Sequence, residues 1–212
     1  MEEEGLDLIL AHTPSNTSYL SDYRWSRLAN PSFLLEDGRS YYIIFVGLPR
    51  DESKAPFMTP VAGEEGYVLY EDPWIKDRRF WGPTFFVQGK PEQTKVLSNP
   101  IECVVEAIRE RGLEDSSIGL EMEKIPLLLY NKLKKLLPKA GFKGAESVLR
   151  RLRMIKSDEE IRRLRKAAEI TEESIVAAFN SAEEGMTELE MERIIMRTLV
   201  DRGAEWEWTD VA

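Results

Sequence analysis

Histidine and cysteine, which supply most metal ligands and activated nucleophiles, are almost absent from this chain of 212 residues, which has one of each. A zinc or iron centre needs several His, Cys, Asp or Glu side chains that converge, and His12 lies far from Cys103 in the sequence. A single cysteine excludes an internal disulfide, and Cys103 lies among apolar residues of a helix-like stretch. We therefore predict a buried free thiol, no metal site and no catalytic residue in this chain.

Motifs for nucleophilic and nucleotide chemistry are also missing. No serine stands in a Gly-x-Ser-x-Gly elbow, and neither common glycine-rich phosphate loop occurs. The adjacent glutamates, such as Glu64 and Glu65, lie in polar surroundings and are interpreted as solvated. His12 follows the first predicted strand, where we interpret it as a loop-end residue bonded to nearby backbone rather than as a base.

Long apolar segments and a surplus of positive charge are absent as well. The longest apolar stretch, Tyr41–Leu48, is too short to cross a bilayer, and the acidic start Met1–Glu4 is unlike a secretory signal. The formal net charge of −9 repels phosphate backbones and anionic lipids. These features predict a soluble, cytoplasmic protein with neither nucleic acid nor membrane as a partner.

The first part of the chain carries mixed strand and helix signals. Asp37–Gly38 between two apolar runs predicts a hairpin, and Thr13–Asn16 consists of loop-forming residues. Asn99 and Pro100 predict the start of one helix that ends at Gly112, and Pro126 predicts the start of another. The predicted strands are Leu6–Ala11, Phe33–Leu35, Tyr41–Val46, Tyr67–Tyr70, Phe85–Val87 and Ile118–Leu120. Together they predict an α/β domain over residues 1–150, with a mixed sheet flanked by helices.

The second part, residues 151–212, is predicted to be mainly helical. Ser157 with Glu160 and Thr187 with Glu190 form capping boxes at the starts of two linked helices. The apolar stripe of the first helix is Ile161, Leu164, Ala168, Ile175 and Phe179. A strand is predicted at Trp206–Val211. Two helices and one strand cannot close a core alone, so we expect the beginning of a larger domain in a truncated chain.

Several motifs resemble the creatinase, prolidase and aminopeptidase P family. Gly5–Leu10 followed by Asn16–Leu20 resembles the opening of the creatinase-type N-terminal domain, and Ile118–Glu121 suits its last strand region. The run Leu152–Ile161, followed by Ala167–Ile170 and Glu184–Glu188, is similar to the linker and first two helices of the pita-bread domain. The resemblance implies an incomplete α+β pita-bread domain after the N-terminal one.

The resemblance also implies a function. Members of this family are dimeric hydrolases in which two divalent ions, manganese, cobalt or zinc, activate a water that attacks the carbonyl of a Xaa-Pro peptide. Their metal ligands follow the strand predicted at Trp206, so none is carried over to this chain. We expect the complete protein to be an enzyme and this chain, by itself, to be inactive. Alternatives are a creatinase-like or ectoine-hydrolase-like amide or amidine hydrolase and a non-catalytic module that binds peptides or proteins.

The segment after the Asn16–Leu20 motif is the candidate substrate-side site. Tyr23, Arg24, Trp25 and Arg27 are predicted to line the rim of a neighbouring subunit's pocket, because arginine holds a carboxylate and an aromatic ring stacks on proline. The alternative is that the tryptophan packs on its own domain and the arginines are solvated. The family often has glycine at the position of Asp22.

Overall fold

A computed structural model describes residues 1–23, 43–62, 65, 68, 70, 72–82, 96–97 and 99–204. The chain divides into two compact units, Met1–Leu152 and Arg153–Ala212. Among the described residues, no helix has both the length and the apolar character needed to span a membrane.

The first unit is built on a six-stranded mixed sheet with the strand order β4-β3-β2-β1-β5-β6. Strand β1 pairs antiparallel with β2 and parallel with β5, and β5 pairs parallel with β6. The strands are β1 Leu8–Ala11, β2 Val46–Pro49, β3 Phe57–Met58, β4 Asp77–Arg78, β5 Ser117–Leu120 and β6 Gly141–Gly144. The predicted α/β class, a mixed sheet flanked by helices, is confirmed.

Side chains alternate across β1 and divide the core into two layers. Leu8 and Leu10 pack on one face of the sheet, whereas Ile9 and Ala11 pack on the other. Helices α2 and α3 cover the first face, and α1 and α4 cover the second. The helices are α1 Pro14–Ser21, α2 Pro100–Glu110, α3 Leu127–Leu136 and α4 Glu146–Met154. Strand β1 is therefore buried on both faces and lies at the centre of the unit.

Several local predictions are confirmed. The Asn99 side chain accepts a hydrogen bond from the Glu102 backbone N–H at 3.0 Å, and Pro100 occupies the first turn of α2. Helix α3 starts directly after Pro126, and β5 coincides with the predicted strand. Cys103 is buried within α2, where its thiol donates to the Phe80 backbone carbonyl at 3.7 Å.

Two local predictions are wrong, and four elements were not predicted. The predicted loop Thr13–Asn16 instead forms the start of helix α1, because the segment donates hydrogen bonds to a distant glutamate that stabilise it. Val68 and Tyr70 are helical rather than extended; Val68 is buried and Tyr70 exposed, as expected for residues two apart on a helix. Strands β3, β4 and β6 and helix α4 carried too little local signal to be predicted.

Other predicted strands can be compared only in part. Strand β2 begins at Val46, where the predicted Tyr41–Val46 strand ends, and its run continues to Pro49. Phe33–Leu35, Phe85–Val87 and Trp206–Val211 lie outside the described residues, as does the Asp37–Gly38 turn.

The second unit contains two helices, α5 Asp158–Ser181 and α6 Glu188–Asp201, which pack against each other. Both predicted capping boxes are present. Within α5, Glu159 accepts hydrogen bonds from both Arg162 and Arg163.

The predicted apolar stripe of α5 is largely exposed. Leu164 and Phe179 are 58% and 71% exposed, whereas Ile170, Ser174 and Ala178 are buried. The buried residues repeat every four positions and include two small side chains, which allow the helices to approach closely. The larger apolar residues of α5 therefore remain on the outer side of this unit.

Candidate functional site

The first unit brings its one histidine and a glutamate together at the carboxyl end of the central parallel strands. His12 directly follows β1, and Glu121 directly follows β5. Because β1 and β5 are parallel neighbours, these two ends meet at one edge of the sheet. His12 is 5% exposed and Glu121 is 2% exposed, so both side chains lie inside the protein.

Both carboxylate oxygens of Glu121 accept hydrogen bonds from the segment that begins α1. Oε2 accepts from the backbone N–H groups of His12 at 2.6 Å and Thr13 at 2.9 Å. Oε1 accepts from Thr13 Oγ1 at 2.5 Å and from Asn16 Nδ2 at 2.6 Å. The carboxylate therefore satisfies donors at the helix start, where its negative charge also interacts favourably with the helix dipole.

These contacts decide the protonation state of Glu121. Burial opposes ionisation, but the hydrogen bonds from Thr13, His12 and Asn16 together outweigh it, so the pKa of Glu121 lies below its ordinary value. Glu121 is therefore a buried carboxylate that is ionised at neutral pH.

The imidazole of His12 is held differently. Among the described residues, neither ring nitrogen has a hydrogen-bond partner within the usual distance, and Nδ1 lies 3.5 Å from Oε2 of Glu121. The ring contacts Phe45, with centroids 5.8 Å apart. Burial lowers the pKa of His12, although Glu121, the Lys124 backbone carbonyl and Glu146 favour the cation. His12 is thus bonded through its backbone N–H, whereas its ring is a neutral buried group.

Glycine at position 119 allows the strands around this site to approach. A Cβ atom there would lie 2.7 Å from Leu6 Cδ1 and 3.1 Å from the Cβ of Ala145. Both distances are shorter than ordinary carbon contacts. Gly119 therefore lets Leu6 and Ala145 pack over β5, just before Glu121.

In this cluster, Glu121 links the end of β5 to the start of α1. All four donors to Glu121 come from residues 12–16, so the carboxylate ties two segments that are more than 100 positions apart in sequence. A substrate would have to displace these donors to reach the carboxylate. The local chemistry therefore favours a structural role for His12 and Glu121.

Across the described part of the chain, no three His, Cys, Asp or Glu side chains converge as a metal site. The residues of this chain that are described thus do not fit a dinuclear metal centre.

The predicted rim residues are placed only in part. Tyr23 is 1% exposed and packs in the core of its own unit, where its backbone N–H donates to Ser21 Oγ at 3.1 Å. Arg24, Trp25 and Arg27 lie outside the described residues. Asp22 ends α1 with a φ of 57°, a left-handed conformation that glycine adopts most easily.

The sequence identified both motifs of this site but did not predict that they are in contact. Asn16 belongs to one motif and Glu121 to the other, and the structure places Asn16 Nδ2 against Glu121 Oε1. Each motif by itself carries no sign of the other. Both motifs belong to the same family resemblance, and parallel neighbouring strands of an α/β sheet bring their carboxyl ends together. These were the two observations from which the contact between Asn16 and Glu121 could have been predicted.

Residues 1–155 match the family described as the Creatinase/Prolidase N-terminal domain. The chain belongs to this family. The match spans the whole sheet of the first unit, so the contact between Glu121 and residues 12–16 lies within the creatinase/prolidase N-terminal domain.

Related proteins extend the similarity. A Xaa-Pro dipeptidase from Pyrococcus horikoshii is 32% identical over 101 residues, which cover 48% of this chain and 26% of that protein. The Bacillus subtilis protein YkvY is 30% identical over 107 residues, which cover 50% of this chain and 30% of that protein. The aligned region thus spans less than a third of either curated relative.

Among solved structures, the prolidase from Pyrococcus horikoshii OT3 has a TM-score of 0.65 and 22% identity. The similarity covers 97% of this chain and 47% of that one. The Xaa-Pro dipeptidase from Bacillus anthracis has the same TM-score at 17% identity, with 95% of this chain and 46% of that one covered. These matches establish a shared fold, and the chain spans about half the length of those proteins.

Proposed function

We propose that this chain is the N-terminal part of a prolidase-like or aminopeptidase P-like metallohydrolase that cleaves Xaa-Pro bonds in small peptides. The observation that carries the proposal is the extent of the fold similarity. The family match ends at residue 155, but similarity to prolidase and Xaa-Pro dipeptidase structures covers 95–97% of the chain. The second unit is therefore included in that similarity.

The proposed organisation has two domains. Residues 1–150 form the creatinase-type N-terminal domain, and residues 151–212 form the linker and the beginning of a pita-bread catalytic domain. The exposed stripe of α5, which includes Leu164 and Phe179, supports this division, because large apolar groups at such exposure are usually buried in a complete domain. We expect later residues of a longer polypeptide to cover them.

The catalytic centre is assigned to that later part. Two divalent ions, manganese, cobalt or zinc, would supply a hydroxide near neutral pH and polarise the scissile carbonyl. The described residues of this chain do not fit such a centre, so their roles lie elsewhere. We propose that the N-terminal domain of a cytoplasmic dimer shapes substrate access for its neighbour.

Under this proposal, the segment that follows α1 lines the rim of the neighbouring subunit's substrate pocket. Tyr23 is buried and serves as its anchor, whereas Arg24 and Arg27 are proposed to hold the substrate carboxylate. In an active full-length enzyme, Arg24→Ala and Arg27→Ala should raise KM with little change in kcat. Unchanged kinetic constants for both variants would remove them from the substrate site.

The decisive experiment determines the sequence of the complete reading frame and measures turnover of Xaa-Pro dipeptides. A downstream series of Asp, Asp, His, Glu and Glu, with turnover of Xaa-Pro dipeptides by the full-length protein and none by the purified 212-residue chain, supports the proposal. Absence of those ligands, with peptide binding and no turnover, would instead indicate a binding module. Micromolar stoichiometric manganese or zinc binding by the 212-residue chain would show that the centre has been misplaced.

A further inference from the structure

The ring of His12 is buried in a place where the neighbouring polar groups accept hydrogen bonds. Oε2 of Glu121 lies 3.5 Å from its Nδ1. Within the described part of the chain, the Lys124 backbone carbonyl and the Glu146 carboxylate also favour a positive ring. Helix α1 and strands β1 and β2 contribute no charged side chain. A neutral imidazole has one acceptor nitrogen, and these surroundings offer it no donor.

Three segments meet at this ring. His12 itself connects β1 to α1, Lys124 belongs to the loop between β5 and α3, and Glu146 is the first residue of α4. Oε1 of Glu146 accepts a hydrogen bond from the backbone N–H of Glu123 at 2.9 Å, which ties α4 to that loop. The side chains of Glu123 and Lys124 are exposed, so the charged groups of the loop itself are solvated. A change of charge at the ring therefore acts on two helix starts and one loop at once.

The oxygen nearest to the ring is also the oxygen that holds the start of α1. Oε2 of Glu121 accepts from the backbone N–H groups of His12 and Thr13 at 2.6 and 2.9 Å. A second proton gives the ring a donor on each nitrogen, and charge-assisted bonds of this kind are about 2.7–2.9 Å long. Such a bond forms when Oε2 and Nδ1, now 3.5 Å apart, approach by roughly 0.6–0.8 Å. A cationic ring thus competes with two backbone N–H groups for one oxygen.

We propose that His12 is a pH-sensitive switch that controls the start of α1. In the neutral form, Glu121 accepts from the backbone N–H groups of residues 12 and 13, and the helix start is held in place. In the protonated form, Oε2 turns to the imidazolium, and the first turn of α1 loosens. Because α1 has only 8 residues, this loosening extends to Asp22 and Tyr23, where the next segment begins.

The direction of the switch follows from burial. A positive charge inside the protein loses its hydration, and this cost exceeds the attraction of Glu121 and Glu146, so the pKa of His12 lies below its ordinary value of 6.5. The ring is therefore neutral at neutral pH, and the start of α1 is closed. Acidification below 6.5 populates the cation and opens the helix start.

Other roles fit this ring less well. A general base needs access to a substrate, but His12 is 5% exposed. A metal site needs further ligands, and no three candidate ligands converge within the described ranges of the chain. A histidine with a purely structural role usually has its ring nitrogens bonded, whereas both lack a partner among the described residues. A ring that gains partners on protonation accounts for this arrangement.

The switch depends on these contacts and not on peptidase activity. Its effect on a substrate rests on the proposed function, in which the segment after Tyr23 lines the neighbouring subunit's pocket. In an active full-length enzyme, KM for a Xaa-Pro dipeptide should rise below the midpoint of the His12 titration, and this rise should be absent from His12→Phe. A KM that ignores that midpoint would overturn the link between the switch and the rim.

NMR of the 212-residue chain, titrated from about pH 7.5 to about pH 5, tests the switch itself. The side-chain carboxyl carbon of Glu121 and the backbone amides of residues 12 and 13 should shift with the same midpoint as the His12 ring. The amides of Asn16 and Thr17 donate to the Thr13 carbonyl in the first turn of α1. Their protection factors against hydrogen exchange should fall about tenfold or more over this range, whereas those of α2 should not change.

Two variants that cannot be protonated provide the comparison. His12→Phe keeps an aromatic ring against Phe45, and His12→Gln replaces the ring by a smaller polar group, so a folding defect in one leaves the other for measurement. Loss of α1 protection in the wild type that is absent from the variants supports the switch. An equal loss in the variants would assign the effect to a carboxylate and overturn the switch. Titration of the ring with no response at Glu121 or α1 would overturn it too, as would a ring that stays neutral until the first unit unfolds.

Discussion

Glu121 gives the N-terminal domain a specific polar contact between distant segments. Its four donors all lie within residues 12–16. Because the side chain is buried, water does not readily replace a donor that is lost. Apolar packing alone would permit small shifts of α1 along the sheet. The directional bonds of one carboxylate fix where α1 begins and therefore where residues 22 and 23 leave it.

Replacement of Glu121 by glutamine should be costly. An amide keeps one oxygen but turns an NH₂ group toward donors, and it removes the charge that those bonds stabilise. We expect Glu121→Gln to lower the free energy of unfolding by about 2–4 kcal/mol. Chemical denaturation measures this loss. The exposed neighbour Glu123→Gln is the matched control and should stay within about 0.5 kcal/mol of the wild type; equal effects of the two variants would contradict an ionised, fully bonded Glu121.

His12 should give the folded protein a pH dependence of its own. Its pKa is lowered by burial in the folded state, so the unfolded chain binds the proton more readily. Stability is therefore unaffected above the ordinary value of 6.5 and falls as the pH drops below it. The fall continues until the pH reaches the folded pKa, with a slope of at most about 1.4 kcal/mol per pH unit.

The chain has one histidine, so the measurement is direct. In an NMR titration, the His12 ring resonance should show a midpoint below 6.5, and His12→Gln should flatten the dependence of stability on pH directly below 6.5. A midpoint at or above 6.5 would mean that Glu121 and Glu146 outweigh burial. Glu121 itself, with its lowered pKa, contributes stability that is lost only at lower pH, below the ordinary value of 4.5.

At the level of secondary structure, the distance between packed elements depends on where small residues such as glycine occur. Leu6 and Ala145 pack over β5 because Gly119 has no Cβ. In the second unit, Ser174 and Ala178 of α5 are likewise buried, whereas the larger Leu164 and Phe179 of the same helix are exposed. Small residues thus decide which surfaces come together.

Gly119→Ala tests this spacing. The new methyl group would meet Leu6 and Ala145, so we expect a loss of about 1–3 kcal/mol in unfolding free energy. Gly141→Ala, in the adjacent strand β6, is the control, because no atom lies within 4 Å of the added Cβ. Thermal and urea denaturation of both variants gives the comparison. If Gly119→Ala were as stable as Gly141→Ala, the close approach over β5 would be relaxed in solution.

At the level of the whole chain, the two units differ in how much they bury. The first has apolar layers on both faces of its sheet, whereas the buried residues among the described positions of the second are Ile170, Ser174 and Ala178. Apolar burial is the main source of stability, so the second unit should open more easily.

Hydrogen exchange measures this difference. In the 212-residue chain, the amides of α5 and α6 should exchange faster than those of β1 and β5 by several orders of magnitude, because two helices with few buried contacts open locally. Addition of denaturant well below the midpoint of the first unit should widen the gap. Equal protection in both units would show that α5 and α6 have found a covering surface, such as a second copy.

The sequence by itself determined the elements that depend on local chemistry. Asn99 with Pro100, the two capping boxes and the apolar run of β1 act over a few residues, and each forms as its pattern predicts. The mixed α/β class follows from the order of such elements. The family motifs were also visible, because Asn16–Leu20 and Ile118–Glu121 are short and contiguous.

Only the tertiary structure decided how these elements meet. Helix α1 lacks a strong local signal and forms where Glu121, more than 100 residues away in sequence, accepts hydrogen bonds from the His12 and Thr13 N–H groups that directly precede it. The burial of His12 and Tyr23 and the exposure of the α5 stripe depend equally on what lies opposite each side chain. A periodic pattern specifies a face, but the partner of that face is set by packing between segments that are distant in the chain.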